Sequence, residues 1–308
     1  MNVKKITGLI AATFSTLDEH GSLALAHVPA LVDKLIQDGL TGVFICGTNG
    51  EGPNLTIEER MAVAEAYMAS AKGRLLVMVH VGHPAIEECR KLARHAESIG
   101  ADAISSVAAF YFKPSGVSNL VDSMAAIASA APNTPFYYYS IPALTGVGMD
   151  MVEFLELAEA RIPNLAGLKY TAATIHEYQA CLDYKGGKFD ILYGYDELLL
   201  PALAVGAKGA VGSTYNFAAP LYLEVIKKFG EGKIDDARHI QLSLVRMIRE
   251  MVRYSPIPAQ KAIMAMLGFD LGACRLPLQR LSADEAESLK VDLGRIGFFK
   301  LLESGACV

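Results

Sequence analysis

The chain has no excess of positive charge. Its 308 residues include 28 lysines and arginines against 33 aspartates and glutamates, for a net charge of −5. Nucleic acids and anionic membranes attract basic surfaces, so the composition indicates neither as a partner. Long apolar runs are missing too, because charges and glycines interrupt them before the roughly 20 residues that a membrane-spanning helix needs. We therefore expect no nucleic-acid binding and no insertion into a membrane.

Cysteine is scarce and scattered. There are five cysteines, none of them in a CxxC pair, and an odd number does not suit a disulfide framework. No apolar core of a secretion signal follows residues 1–7. Both observations predict a cytosolic protein with reduced thiols. His80 and His83 stand three residues apart without a clear third ligand, so we expect no metal site. The cysteines are Cys46, Cys89, Cys181, Cys274 and Cys307.

What the sequence does contain is a repeat of short apolar strands and amphipathic helices. Strand ends recur about every 30 residues, as a βα repeat requires. Eight such units predict an α/β fold, a (β/α)8 TIM barrel. A doubly wound open sheet would instead need a glycine-rich phosphate loop after its first strand, and residues 11–15 are not one. The predicted strands are Gly8–Thr13, Gly42–Cys46, Leu75–His80, Ala103–Val107, Pro135–Tyr139, Ala166–Lys169, Phe189–Tyr193 and Gly209–Gly212.

Helix signals fill the gaps between these strands. Thr56 and Glu59 form the pattern of a capping box, and Gly39, Gly100 and Gly206 stand where helices would end in the left-handed conformation. After residue 212 only helices are predicted, at Leu221–Phe229, Ile234–Met251, Pro258–Leu267 and Ala283–Leu293. This is more helix than one barrel needs. We therefore assign residues 1–215 to a barrel that carries the active site, and residues 216–308 to its last helix and a C-terminal helical appendage.

One lysine occupies an unusual position. Lys169 ends an apolar run, residues 162–168, that has the character of a buried strand. Lysine is almost never fully buried unless it is paired or used. In an apolar pocket the charged ammonium is disfavoured, and the neutral amine that attacks a carbonyl becomes accessible. The alternative is a side chain that snorkels from the strand end into water.

Polar residues after the other predicted strands would share one rim with Lys169, because the loops that follow the strands of a TIM barrel build its active site. This convergence favours a catalytic lysine over a snorkelling one. The residues are Thr48 and Asn49 after the second strand, Tyr111 after the fourth, Tyr139 ending the fifth, Thr171 after the sixth, Gly194, Asp196 and Glu197 after the seventh, and Ser213 after the eighth.

Two of these groups suit a chemical task by themselves. Residues 47–50 form a turn of small residues whose backbone N–H groups can approach an anion closely. The Tyr139 hydroxyl can exchange a proton if a neighbour accepts or relays charge, and Thr48 and Tyr111 are the candidates.

Two further assignments depend on which way the side chains point. Strand alternation puts Tyr137 and Tyr139 on one face and Tyr138 on the other. Asp196 and Glu197 either begin a solvated helix or accept hydrogen bonds from substrate hydroxyls, and their spacing does not decide between the two.

With these residues in place, the sequence resembles the class I pyruvate aldolases of the dihydrodipicolinate synthase/N-acetylneuraminate lyase family, and within it the N-acetylneuraminate lyases. The resemblance implies a homotetramer of TIM barrels that reversibly cleaves N-acetylneuraminate to N-acetylmannosamine and pyruvate, with no metal or organic cofactor. The likeness covers nearly the whole chain and is strongest at Gly47–Gly52, Pro135–Val147, Gly167–Lys169, Gly194–Glu197, Gly209–Asn216, Lys261–Met264 and Arg275–Gln279.

The resemblance also implies a role for each residue of the rim. Lys169 matches the Schiff-base lysine and Tyr139 the catalytic tyrosine. Thr48 and Asn49 match the positions that hold the substrate carboxylate, and Tyr111 matches a tyrosine of the proton relay that often reaches a neighbouring subunit. The positions that bind the rest of the sugar acid are matched by Thr171, Gly194, Asp196, Glu197 and Ser213, with the two carboxylates facing its hydroxylated tail.

Two positions distinguish this chain within the family. Asn49 stands where the family usually has Thr or Ser, so a hydroxyl contact becomes an amide contact, although the backbone N–H can still bind a carboxylate. Leu144 stands where dihydrodipicolinate synthases carry an arginine for the carboxylate of aspartate semialdehyde, and leucine cannot form that pair. The sequence also leaves open a 2-keto-3-deoxy sugar acid aldolase and a non-catalytic sugar-acid-binding paralogue. The intact Lys169, Tyr139 and Thr48 argue against the paralogue.

Overall fold

In the part of the chain that the structure describes, eight parallel strands form one closed barrel. The computed structural model describes residues 5–304. The strands pair in chain order, and the last closes the barrel on the first. No predicted strand end lies more than one residue from the observed one, and the predicted (β/α)8 barrel with C-terminal helices is confirmed. The strands are β1 Gly8–Ala12, β2 Gly42–Ile45, β3 Leu76–His80, β4 Ala103–Val107, β5 Phe136–Ser140, β6 Leu165–Tyr170, β7 Asp190–Tyr193 and β8 Gly209–Gly212.

The helices between the strands begin and end where the sequence signals stand. Thr56 Oγ1 accepts from the Glu59 N–H and the Glu59 carboxylate accepts from the Thr56 N–H, so the predicted capping box is confirmed. Gly39, Gly100 and Gly206 have φ of 82°, 78° and 107°, the region that favours glycine. The barrel helices are α1 Val28–Gln37, α2 Ile57–Ala71, α3 Ile86–Ser98, α4 Val117–Ala128, α5 Pro142–Thr145, α6 Met151–Arg161, α7 Ile175–Gly187 and α8 Leu199–Ala204.

The alternation of side chains along the strands builds two separate cores. The inner one fills the barrel and includes Tyr137 and Tyr139, whereas Tyr138 packs in the outer core between sheet and helices, as predicted. Because the two faces of β5 are both buried, the three consecutive tyrosines are each at most 3% exposed.

Within the described range, which ends at residue 304, five helices follow β8: α9 Tyr215–Gly230, α10 Ile234–Met251, α11 Pro256–Met266, α12 Ala283–Arg295 and α13 Phe298–Ser304. The first begins six residues before the predicted Leu221, because its opening turns are buried on every side and show no amphipathic period. α9 packs on β1 and on α10, which in turn contacts α12. The division of the chain at residues 215 and 216 stays a prediction.

Two further expectations bear on the chain as a whole. Within residues 5–304 no helix is long and apolar enough to cross a membrane. Four of the cysteines, Cys46, Cys89, Cys181 and Cys274, are free thiols, and Cys307 lies outside the described residues.

Candidate active site

Lys169 points into the barrel. Its register neighbours are Tyr139 on β5 and Leu192 on β7, both in the inner core. The side chain is 3% exposed, so the snorkelling alternative is wrong. Its Nζ lies 3.7 Å from the centroid of the Tyr139 ring and 4.2 Å from that of Phe44.

The surroundings of this amine are aromatic instead of ionic. Within the described residues Lys169 Nζ forms no hydrogen bond and no ion pair, and the two ring faces supply only the weaker attraction of a π system for a cation. Phe44 was not among the predicted site residues. Its inward position on β2, two residues before the Cys46 that ends the predicted strand, is the signal that would have placed it there.

The turn after β2, residues 47–52, lies at the same end of the barrel as Tyr139. It closes on itself through bonds from Glu51 N to the Thr48 carbonyl and from Gly52 N to the Gly47 carbonyl, both 3.0 Å long. The N–H groups of Thr48 and Asn49 donate to no group in the described part of the chain. Free adjacent N–H groups of this kind form an anion-binding concavity.

The side chain of Asn49 is used within the protein. It is 7% exposed, and its Nδ2 donates to the Ala12 carbonyl at 3.1 Å and to Gln260 Oε1 at 3.0 Å. Both amide hydrogens are therefore occupied, and the backbone N–H is the donor that Asn49 has left for a carboxylate.

A cavity of about 310 Å³ opens beside the turn. Thr48 and Tyr139 line it together with His80, Leu144 and residues 277–278 of the C-terminal segment. Larger cavities of about 650 and 600 Å³ lie at the N-terminal ends of the strands, where a TIM barrel does not carry its chemistry.

Residues of α11 and of the chain that follows it also hold the turn in place. Glu51, which is fully buried with φ of 52°, pairs with the buried Lys261 of α11 at 2.7 Å. Its second carboxylate oxygen accepts from the Arg275 N–H at 2.8 Å. Sequence reasoning gave neither Glu51 nor Lys261 a role, because two charges 210 residues apart show no pairing signal along the chain.

Asp196 follows β7 and is buried beside the end of β8. Its Oδ2 accepts from the N–H and hydroxyl of Thr214 at 2.8 and 2.7 Å and from Ser213 Oγ at 3.4 Å. Burial raises its pKa, an effect that the Thr214 bonds and the charge of Lys169 oppose. A Cβ on Gly212 would lie 2.0 Å from Oδ1, so glycine is needed there. A solvated helix start, one of the two roles that the sequence left open for Asp196, is therefore excluded.

Its neighbour Glu197 is half-buried, and burial raises its pKa too. Gln241 of α10 donates to the backbone carbonyls of both acidic residues, at 3.3 and 3.2 Å, and fixes their path. Just after the neighbouring strand β6, Thr171 Oγ1 is buried with no partner in the described residues. A Cβ on Gly194 would lie 1.9 Å from that hydroxyl, so the glycine makes room for it.

Tyr111 is the one predicted site residue that lies away from the barrel interior. It is 78% exposed, and its ring contacts Phe112, which is 85% exposed, with centroids 5.0 Å apart. Of the two candidate relays for Tyr139, only Thr48 lines the cavity within one chain.

Within residues 5–304 no group of three or more His, Cys, Asp or Glu side chains could hold a metal ion. The assembled groups are a buried amine next to a phenol, an anion-binding turn, and a wall of hydroxyls and carboxyls. Chemically, this arrangement can form an imine with a keto acid whose carboxylate the turn holds.

Comparison with known proteins gives a consistent result. The model of the Dihydrodipicolinate synthetase family matches residues 5–296. The N-acetylneuraminate lyase of Sus scrofa is 38% identical over 94% of this chain and 92% of its own length. The N-acetylneuraminate lyase A of Xenopus laevis is 40% identical over 94% and 96%. The solved N-acetylneuraminate lyase (sialic acid aldolase) of Aliivibrio salmonicida superposes with a TM-score of 0.93 at 40% identity, covering 96% of this chain and 98% of that one.

Proposed function

Because the chain belongs to the dihydrodipicolinate synthetase family, we propose that it is a carbon–carbon lyase that reversibly cleaves N-acetylneuraminate to N-acetylmannosamine and pyruvate. The observation that carries the proposal is Lys169, an amine 3% exposed and held against two aromatic rings. Such a group has no structural use, whereas an imine-forming class I aldolase requires it.

The reaction that we propose gives each of these groups a role. Lys169 Nζ attacks the C2 ketone of the open-chain sugar acid, and loss of water leaves a cationic imine that withdraws electrons. The C4 hydroxyl loses its proton to the substrate carboxylate, either directly or through Tyr139, whose hydroxyl accepts this proton as it passes its own proton on to the carboxylate. The C3–C4 bond then breaks, and N-acetylmannosamine leaves as its aldehyde. The electron pair of the broken bond moves towards the iminium and forms an enamine. Protonation of the enamine at C3 and hydrolysis of the imine release pyruvate.

In this proposal the turn after β2 and the residues that follow β6, β7 and β8 bind different parts of the substrate. The free N–H groups of Thr48 and Asn49 suit the C1 carboxylate. Asp196 and Glu197 accept, and Ser213 and Thr171 can donate or accept, which suits the hydroxylated tail. Asp196 can bind the substrate directly, and it also orients the hydroxyls of Ser213 and Thr214. Its Oδ2 already accepts a hydrogen bond from each of these hydroxyls.

A dihydrodipicolinate synthase is the nearest alternative from the same family. Leu144, which is 62% exposed at the cavity mouth, carries no charge for a second carboxylate there. A 2-keto-3-deoxy sugar acid aldolase shares the keto-acid half of the substrate, so a substrate panel separates it.

One set of assays tests the proposal. Borohydride added with pyruvate should trap a covalent adduct on Lys169, and trapping at another lysine or at none would overturn the mechanism. Pyruvate release from N-acetylneuraminate should exceed that from 2-keto-3-deoxy sugar acids, and condensation with aspartate semialdehyde should not occur.

Tyr139→Phe is the matched kinetic test. The variant keeps the ring that packs on Lys169 and loses the hydroxyl, so turnover should fall about 100-fold or more while trapping of pyruvate persists. Tyr138→Phe, on the outer face of the same strand, is the control and should leave turnover within about twofold.

We also propose a homotetramer, in which Tyr111 would complete the proton relay of a neighbouring chain. The exposed rings of Tyr111 and Phe112 support it, since large apolar surface commonly marks a contact between subunits. Sedimentation velocity should give four chains per particle, and Tyr111→Phe should lower turnover without dissociating it. A fully active monomer would contradict both statements. A cytosolic, catabolic role for the enzyme remains a prediction.

A further inference from the structure

His80 is a buried titratable side chain that the proposed reaction leaves without a role. It ends β3, is 4% exposed, and lines the same cavity as Thr48 and Tyr139. Its ring meets those of Phe44 and Tyr139 edge-on, with centroids 5.8 and 6.0 Å away. The imidazole therefore extends the aromatic wall against which Lys169 lies.

The two ring nitrogens have different surroundings. Nδ1 lies 3.2 Å from the carbonyl oxygen of Cys46, which can only accept, and 3.5 Å from Nη2 of Arg60, which can only donate. We assign the hydrogen to Nδ1 because the contact with the carbonyl is the shorter one. Nε2 is buried and has no hydrogen-bond partner in the described part of the chain. Burial, together with the charges of Arg60 and Lys169, holds the pKa of His80 well below its usual range. The ring is therefore neutral and does not repel the cationic imine on Lys169.

The Cys46 carbonyl stands where the backbone leaves β2 for the turn at residues 47–52. Cys46 has φ of 56°, a conformation that costs energy for a residue with a side chain and must be held by its surroundings. Gly52 packs on the same carbonyl so closely that a Cβ there would lie 1.9 Å from the oxygen. The orientation of this one peptide thus decides where the turn begins.

The backbone at His80 is held firmly as well. Arg60 of α2 is 1% exposed and donates to the backbone carbonyls of His80 at 2.6 Å and Gly82 at 2.8 Å. The imidazole is therefore fixed at the end of β3 and reaches across to the turn, so its position can be transmitted to the turn.

We propose that His80 is a positioning residue for the carboxylate-binding turn: its Nδ1–H fixes the Cys46 carbonyl and thereby directs the backbone N–H groups of Thr48 and Asn49 into the cavity. The inference rests on the proposed function, because it assigns those N–H groups to the carboxylate of a 2-keto acid. The proposal predicts that substitution of His80 weakens binding of the carboxylate and leaves formation of the imine on Lys169 intact.

Two uncharged variants separate the nitrogens. The amide nitrogen of His80→Asn lies near the position of Nδ1 and can still donate to Cys46, whereas that of His80→Gln lies near Nε2 and cannot. An unsatisfied buried carbonyl should raise the pyruvate concentration for half-maximal borohydride trapping about tenfold in the Gln variant. The Asn variant should stay within about threefold of the wild type. In both, trapping at saturating pyruvate should still modify Lys169.

Gly82→Ala tests the same point without removing the imidazole. Its Cβ would lie 2.8 Å from Cε1 and Nε2 of His80, so it displaces the ring and should raise the half-saturating concentration as His80→Gln does. It also serves if either His80 variant fails to fold in a thermal melt. Equal half-saturating concentrations for the wild type, His80→Gln and Gly82→Ala would overturn the proposal. A wild type that forms no imine with pyruvate would instead overturn the proposed function.

Discussion

Two charged residues of the site are buried, although their side chains are better solvated in water. Lys169 lies in the barrel with aromatic rings around its amine and, within the described residues, no ion pair, and Asp196 is buried at 5% exposure. Burying a charge without a full set of partners is unfavourable, so these positions lower stability in return for chemistry.

Lys169→Met should reveal that cost. The thioether side chain has nearly the same length and no charge, so the free energy of unfolding in urea should rise by about 1 kcal/mol. Pyruvate should no longer be trapped. The control Lys290→Met, at a half-exposed surface lysine, should change stability by less than about 0.5 kcal/mol. A loss of stability in the Lys169 variant would show that its amine has a structural partner.

Glu197 predicts a dependence on pH. Its folded pKa is raised by burial, so the folded state binds the proton more tightly than the unfolded chain does. The wild type therefore loses stability, relative to Glu197→Gln, as the pH rises through the folded pKa. Urea titrations should find the variant more stable at pH 7, with the difference disappearing at about pH 4. A constant difference across this range would contradict the burial effect.

At the scale of secondary-structure elements, two helices begin with a capping box, but the capping glutamates differ in their further contacts. Thr56 and Glu59 cap α2, and Ser282 and Glu285 cap α12 in the same reciprocal way. Glu59 additionally binds the Arg275 guanidinium through both carboxylate oxygens, and this bond lowers the pKa of Glu59. Glu59 therefore also ties α2 to the chain between α11 and α12, whereas the carboxylate of Glu285 binds only Ser282 in the described part of the chain.

Glu59→Ala and Glu285→Ala measure that difference. Each variant removes one half of a capping box, and we expect that loss alone to lower the free energy of unfolding by about 1 kcal/mol. The Glu59 variant should lose about 1 kcal/mol more of the free energy of unfolding, because its bidentate, charge-assisted hydrogen bonds with Arg275 are lost as well. Equal losses in urea unfolding would mean that the Arg275 contact is screened by water and contributes nothing.

At the scale of the whole molecule, a buried ion pair joins the C-terminal helices to the barrel. Glu51 and Lys261 are 0% and 3% exposed, and they join the carboxylate-binding turn to α11. Gln260, the preceding residue, holds Asn49 of the same turn. The appendage is thus part of the support of the active site.

Lys261→Met should leave the Glu51 carboxylate buried and unpaired, and lower the free energy of unfolding by about 3–5 kcal/mol. Adding Glu51→Gln removes the uncompensated charge, so the double variant should recover part of that loss. Urea unfolding of the wild type, both single variants and the double variant gives the coupling energy. Additive losses would show that the two groups do not interact.

The sequence by itself determined the repeat and therefore the fold. Strand period, helix caps and left-handed glycines are local properties, and they placed all eight strands within one residue. The apolar run before Lys169 and the order of strand ends identified the rim in the same way, because the closure of a parallel barrel brings those ends together.

Only the tertiary structure decided which atoms of the rim are free. Asn49 has its amide occupied by Gln260, and Asp196 has one oxygen occupied by Thr214, although both are polar residues at predicted site positions. His80 had no predicted role, yet it holds the Cys46 carbonyl at the start of the turn. These outcomes depend on partners as many as 211 residues away, and no local pattern records which side chain a distant helix brings near.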